Sequence, residues 1–277
     1  MDRAPRQAAW RTGRCRVNDT DLHYWRTGQG QLPVVALHGL MGSGACWMPL
    51  ARKFAPDHDV VMPDARGHGA SGAPPQGYHY RDHALDVVGL TEALHLNAPV
   101  LLGHSMGGMT AAVVAARPGA GVRGVVLVDP TFLSPEQQRE VYASDVAAQH
   151  RQRLRSNKRE VLADLQRRHP QRSPEMLGLL AQARWQTRIQ ACEVLRPPSP
   201  DHRELIGRIQ APVLLVIGTQ GVVSLDTAQE LQALNPRLRC EQIPEAGHGL
   251  PYDQPERLAA VVQAFLGSLE DRQPVSG

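Results

Sequence analysis

Short apolar runs punctuate the chain. Pro33–Leu37, Val60–Met62, Val100–Leu102, Val125–Val128 and Val213–Ile217 are continuous apolar segments, each bounded by Pro, Gly or Asp. A run without polar alternation is what a strand covered on both faces requires. Between them lie helix-length stretches: Trp47–Phe54, Tyr80–Leu94, Met106–Ala116, Leu225–Leu234 and Gln254–Leu269. Strands alternating with helices predict an α/β fold, a mostly parallel sheet with helices on both faces.

One interval breaks this rhythm. From Pro130 to Arg208 no strand-like run occurs, and the stretch is rich in Glu, Gln, Arg, Ala and Leu. An interval of that length is not an unstructured loop in a compact domain. It reads as amphipathic helices inserted into the sheet order as a cap, with Pro197, Pro198 and Pro200 marking the return. The expected organisation is a core over residues 15–131 and 207–270 and a helical cap over 132–206. Residues 1–14 and 271–277 have little to bury and are expected to be disordered tails.

Composition narrows the class without naming a function. The 277 residues are 42% hydrophobic, enough for one large core, and a charged fraction of 21% with net charge +3 argues against a disordered chain. No apolar run approaches the ~20 residues of a membrane-spanning helix. Met1 to Arg14 lacks the apolar stretch of a secretory signal. Cys15, Cys46, Cys192 and Cys240 show no C-x-x-C spacing, which suits free thiols in a reducing, cytoplasmic compartment and no metal site. The densest basic stretch, Arg151 to Arg172, reads as solvated helix faces and not as an anionic docking surface. Neither nucleic acid nor membrane is expected as a partner, and the oligomeric state stays open.

The chemistry concentrates in Gly103-His104-Ser105-Met106-Gly107-Gly108, between the run ending at Leu102 and the helix predicted from Met106. This is a G-x-S-x-G nucleophile elbow in its strand–turn–helix setting. Ser105 must occupy a tight, strained turn, and Gly103 and Gly107 remove the side chains that would clash there. A serine hydroxyl needs a general base. His248, in Glu245-Ala246-Gly247-His248-Gly249, follows the strand-like Arg239–Ile243 and so falls on the same sheet rim. His38, His68 and His104 lie in or beside turns, where structural hydrogen bonds are the plainer reading. The expected oxyanion donors are the backbone N–H groups of Leu40, after the first apolar run, and Met106.

On these residues the chain resembles the α/β-hydrolase superfamily. The landmarks are His38-Gly39, the elbow around Ser105 and Gly247-His248, with Asp64-Ala65-Arg66-Gly67-His68-Gly69-Ala70-Ser71 similar to the loop after the second core strand in capped members. The resemblance covers roughly residues 15–130 and 209–270 and leaves out the cap. It implies a Ser-His-acid triad and no metal or organic cofactor. The usual acid position, in the loop after Val213–Ile217, is held by Gly221. The expected acid is then Asp129, at the end of Val125–Val128, where some members of the superfamily carry it, with Asp226, whose ordinary role is a helix N-cap, as the alternative.

Trp185 is a candidate substrate-binding side chain projecting from the cap, with an anchor between cap and sheet as the alternative. Arg66 and His68 read as structural, and no motif makes Cys46 a nucleophile. The expected activity is hydrolysis of a carboxylic ester or lactone of a small to medium apolar substrate through an acyl-enzyme. Alternatives are carbon–carbon bond hydrolysis and a ligand-binding, receptor-like protein with little turnover. The resemblance disfavours a dehalogenase or epoxide hydrolase, because those place Asp where Ser105 stands.

Overall fold

All five apolar runs become neighbouring strands. The structure, a computed structural model, describes residues 10–28 and 32–270. Its eight strands are β1 (Arg11–Val17), β2 (Thr20–Arg26), β3 (Leu32–Leu37), β4 (His58–Pro63), β5 (Val100–His104), β6 (Gly124–Val128), β7 (Val213–Gln220) and β8 (Leu238–Gly247). They form one sheet in the order β1-β2-β4-β3-β5-β6-β7-β8. From β4 through β8 every neighbouring pair is parallel, and β2 joins β4 antiparallel.

The helices are α1 (Met48–Ala51), α2 (Tyr80–Ala93), α3 (Met106–Ala115), α4 (Pro135–Ala143), α5 (Val146–Arg153), α6 (Lys158–Arg168), α7 (Pro174–Gln186), α8 (His202–Arg208), α9 (Leu225–Leu234), α10 (Leu250–Asp253) and α11 (Pro255–Glu270). Because side chains alternate across a strand, the sheet fills two apolar layers. Val35, Leu37, Leu101 and Leu127 pack with residues of α2, α3, α8 and α9. Val34, Ala36, Leu102 and Val126 pack with residues of α1 and α11.

Two expectations need correction. Residues 1–9 and 271–277, expected as tails, lie outside the described residues, but Arg11 to Arg14 form the first half of β1. What orders them is backbone pairing: β1 runs antiparallel to β2 from Arg11 opposite Arg26 to Val17 opposite Thr20. The turn between them is two residues, Asn18 and Asp19, with φ of 44° and 59°, the left-handed pair that suits a tight hairpin. The second correction is α8, counted with the cap up to residue 206. It packs on α3 and α9, and Ile206 is fully buried in the core layer.

Helices α4 to α7 and a 3-10 helix, Ile189–Leu195, are inserted between β6 and β7. Val161, Leu165, Met176, Leu177 and Leu180 of α6 and α7 close around Cys46 and form a separate apolar cluster. Four strand ends, those of β3, β5, β6 and β8, deliver His38, Ser105, Asp129 and His248 to one edge of the sheet.

Candidate active site

Ser105 alone makes the turn between β5 and α3, with φ 54° and ψ −118°, a conformation that L-residues adopt only when the surroundings enforce it. Here they do. The Ser105 amide donates to the Val128 carbonyl at 3.1 Å, and its own carbonyl accepts from Gly108 and Met109. A Cβ on Gly103 would run into the Gly107 carbonyl, and one on Gly107 into the Leu37 carbonyl, so the strand–helix closure demands glycine at both positions.

His248 stands just beyond β8. The Ser105 hydroxyl lies 2.9 Å from His248 Nε2, and His248 Nδ1 lies 2.6 Å from Asp129 Oδ2. With Nδ1–H donating to the carboxylate, Nε2 is left as the acceptor for the serine proton. Asp129 is fully buried and also accepts from the Val222 and Val223 amides at 2.9–3.1 Å. Burial pushes its carboxyl pKa up, but the His248 ring and the two amides outweigh this and hold it below its ordinary value. Gly221 leaves room for a carboxylate from the end of β6. An added Cβ there would sit 2.5 Å from Asp129 Oδ1 and 3.0 Å from Oδ2, so the carboxylate occupies the space a side chain at 221 would use.

The rest of the rim is fixed by neutral imidazoles. His104 Nε2–H donates to the His248 carbonyl at 2.7 Å, which anchors that loop. Burial, with the neighbouring His248, depresses the His104 pKa to about 3. His38 Nδ1–H donates to the Gly39 carbonyl, and its Nε2 accepts from Ala65. His68 Nδ1–H donates to the Arg66 carbonyl, and its Nε2 accepts from Met41. Burial lowers the pKa of both. They tie the Gly39–Met41 loop to the loop after β4 and have the structural character expected of them. A Cβ on Gly39 would lie 3.0 Å from the Ser105 Cβ, so this loop abuts the elbow. No acceptor among the described residues takes the Leu40 N–H. Met106 opens α3, where an N–H has no intrahelical partner.

The sequence profile of the alpha/beta hydrolase fold family matches residues 33–255. The chain belongs to that family. Among its relatives, N-formylmaleamate deformylase of Pseudomonas putida is 26% identical over 92% of this chain and 96% of its own. The 2-(acetamidomethylene)succinate hydrolase of Mesorhizobium japonicum is 26% identical over 88% of this chain and 91% of its own. The crystal structure of E-2-(acetamidomethylene)succinate hydrolase superposes with a TM-score of 0.78 at 23% identity, over 94% of this chain and all of that one, which shows the shared fold.

Within this alpha/beta hydrolase frame, the other candidates take no part in the hydrogen-bonded chain at Ser105. Asp226 is exposed in the first turn of α9, and Ser224, not Asp226, caps that helix. Trp185 stands near the end of α7, 37% exposed, and joins neither the hydrogen-bonded chain nor any ring stacking among the described residues. Cys46 is buried, and burial raises its thiol pKa. Arg66 forks onto Asp86 at 2.5–2.6 Å and reaches the Gly77 carbonyl. Among the described residues no group of three or more His, Cys, Asp and Glu is placed to hold a metal ion.

Sequence reasoning missed two features beside the site. Tyr252 lies edge-on to His104 with ring centroids 5.5 Å apart, while His104 lies 5.1 Å from His248. Arg172, inside the stretch read as solvated, is buried, pairs with Asp253 at 2.6 Å and covers the Tyr252 ring at 5.4 Å. The pair spans 81 positions of sequence, and local pattern carries no sign of it.

Proposed function

We propose that this chain is a serine hydrolase acting on a carboxylic ester or lactone. The observation that carries the reading is the unbroken hydrogen-bonded chain from Ser105 Oγ through His248 to Asp129. Ser105 Oγ attacks the acyl carbon as its proton passes to His248 Nε2. The carbonyl electron pair moves onto oxygen, where the Leu40 and Met106 N–H groups receive it. The tetrahedral intermediate collapses, the bond to the leaving alkoxide breaks, and His248 returns the proton to it. A water molecule then repeats the sequence on the acyl-enzyme and releases the acid and Ser105. Asp129 stays ionised throughout, holds the ring tautomer and stabilises the imidazolium.

The relatives, a deformylase and a succinate-derivative hydrolase, support hydrolysis in general. The receptor-like alternative rested on the empty acid position at Gly221, and the Asp129 carboxylate in that space favours turnover over it. Helices α4 to α7 serve as the cap, with α8 returned to the core. Four free cysteines suit a reducing, cytoplasmic setting, and no described helix is long and apolar enough to cross a membrane. The pocket among α5, α6 and α7 is lined mainly by polar side chains, which suits a substrate carrying polar groups.

The test is labelling by a fluorophosphonate together with turnover of short p-nitrophenyl esters. Native protein should label and turn over. Ser105→Ala should lose labelling and about 10⁶-fold in kcat. Full turnover in that variant would exclude the serine mechanism.

A further inference from the structure

The inserted helices leave two guanidinium groups without a counter-charge. Arg153, at the end of α5, and Arg184, in the last turn of α7, are both half-buried. Among the described residues neither makes an ion pair, and no side-chain hydrogen bond reaches either guanidinium. Their neighbours differ: Arg168 pairs with Asp164, and Arg172 with Asp253. Arg153 and Arg184 line the same pocket of about 550 Å³, together with Gln149, Gln152, Ser156 and His169. Burial, then Arg153 and Arg172, pull the Arg184 pKa down from its ordinary value. The guanidinium nevertheless remains a cation at neutral pH. Like charges brought together in a partly desolvated pocket are unfavourable until an anion joins them.

One wall of the pocket connects to the reaction site through packed side chains. Helix α7 packs on the 3-10 helix Gly44–Trp47, which continues from the Leu40 loop. Ala183, next to Arg184, shares an apolar cluster with Cys46, and Tyr252 packs against that cluster. Tyr252 in turn meets His104, which meets His248. The Arg184 charge acts on both Cys46 and Tyr252. Arg184 is thus carried by the helix that meets both the Gly44–Trp47 segment beyond the Leu40 loop and, through the Cys46 cluster, Tyr252 beside His104.

We propose that Arg184, assisted by Arg153, binds a free carboxylate of the substrate, so that the substrates are esters or lactones bearing a second, unreacted acid group. This rests on the serine-hydrolase reading and names its substrate class. A guanidinium presents a fork of donors that matches a carboxylate. Glu160 and Asp164 line the same pocket, and Asp164 is already paired with Arg168, so the surplus positive charge is small and suits a monoanion better than a phosphate.

The experiment compares the p-nitrophenyl monoester of glutaric acid with the same compound methylated at its free carboxyl. The native enzyme should favour the acid by at least about 10-fold in kcat/KM, mostly through KM. Arg184→Gln should lower the acid-to-methyl ratio by roughly 10- to 100-fold, and Arg184→Lys should keep part of the preference. An unchanged ratio in Arg184→Gln overturns the proposal. Calorimetric binding of glutarate to Ser105→Ala separates this from the reaction itself. Binding that is lost when Arg184→Gln is added supports the carboxylate site, even if neither ester turns over and the serine-hydrolase reading falls. No glutarate binding, or binding indifferent to Arg184→Gln, overturns it. Inorganic phosphate binding more tightly than glutarate overturns the carboxylate assignment.

Discussion

At the carboxyl edge of the sheet, Asp129 accepts from His248, Val222 and Val223, Asp64 accepts from His23, Gly44 and Ala70, and Arg66 forks onto Asp86. In the inserted helices, Arg153 and Arg184 line a pocket in which neither is ion-paired, although Glu160 and Asp164 line it too. The first region satisfies its buried charges from within the chain and is complete before any substrate arrives. That suits a reaction whose transition state must meet donors already in place. The second region leaves positive charge for something else to satisfy. Chemistry is built into the rim, and recognition is left to the insertion.

The sharpest way to break this contrast is to move the acid. Asp129 and a side chain at 221 compete for one space, so the double variant Asp129→Gly with Gly221→Asp should regain activity that Asp129→Gly alone loses. We expect the single variant to lose about 10⁴-fold in kcat and the double variant to recover on the order of 10²-fold, measured on one p-nitrophenyl ester. No recovery in a variant with native circular dichroism and thermal unfolding would mean that the shared space is not functionally equivalent.

A smaller effect is a dependence of stability on pH. Burial depresses the pKa of His83 to about 3, with the nearby Arg66 adding to the shift, and His104 reaches the same value. The unfolded chain protonates these rings near pH 6.5 and the folded rim does not. Their contribution is therefore whole above about pH 6.5 and declines as pH falls towards 3. At pH 5 each ring should cost about 2 kcal/mol of stability. The arginines of the insertion keep their charge across that range, and its buried His150, whose pKa burial also lowers, adds to the acid instability. Melting curves at pH 7.5 and 5 should show His83→Phe flattening the decline. An unchanged slope would place the acid-sensitive groups elsewhere.

Much of this was legible in the residues because the strands of a parallel sheet are covered on both faces and so read as unbroken apolar runs. The elbow was equally plain, since Gly103 and Gly107 announce the close approach that the fold then shows. Strands β1 and β2 escaped notice for the opposite reason. They lie at one edge of the sheet, and β1 alternates exposed and half-buried positions, so RTGRCRV carries no apolar run. Asp129 was reachable through the glycine at 221 together with the resemblance to superfamily members that carry the acid after this strand, and the geometry adds a physical reason. The pairing of Arg172 with Asp253 and the pocket shared by Arg153 and Arg184 depend on how α5 to α7 fold onto the core. Charge counting along the chain could not tell these arginines from solvated ones.

The central claim is that Asp129 is the acid that serves His248, and the most direct measurement is kcat on a p-nitrophenyl ester for Asp129→Asn beside Asp226→Asn. Asp129→Asn should keep the fold and fluorophosphonate access while kcat falls by roughly 10⁴-fold. Asp226→Asn should stay within a few-fold of native, its change limited to a first-turn helix charge worth about 0.3–1 kcal/mol of stability. Near-native turnover in Asp129→Asn with loss in Asp226→Asn would contradict the account.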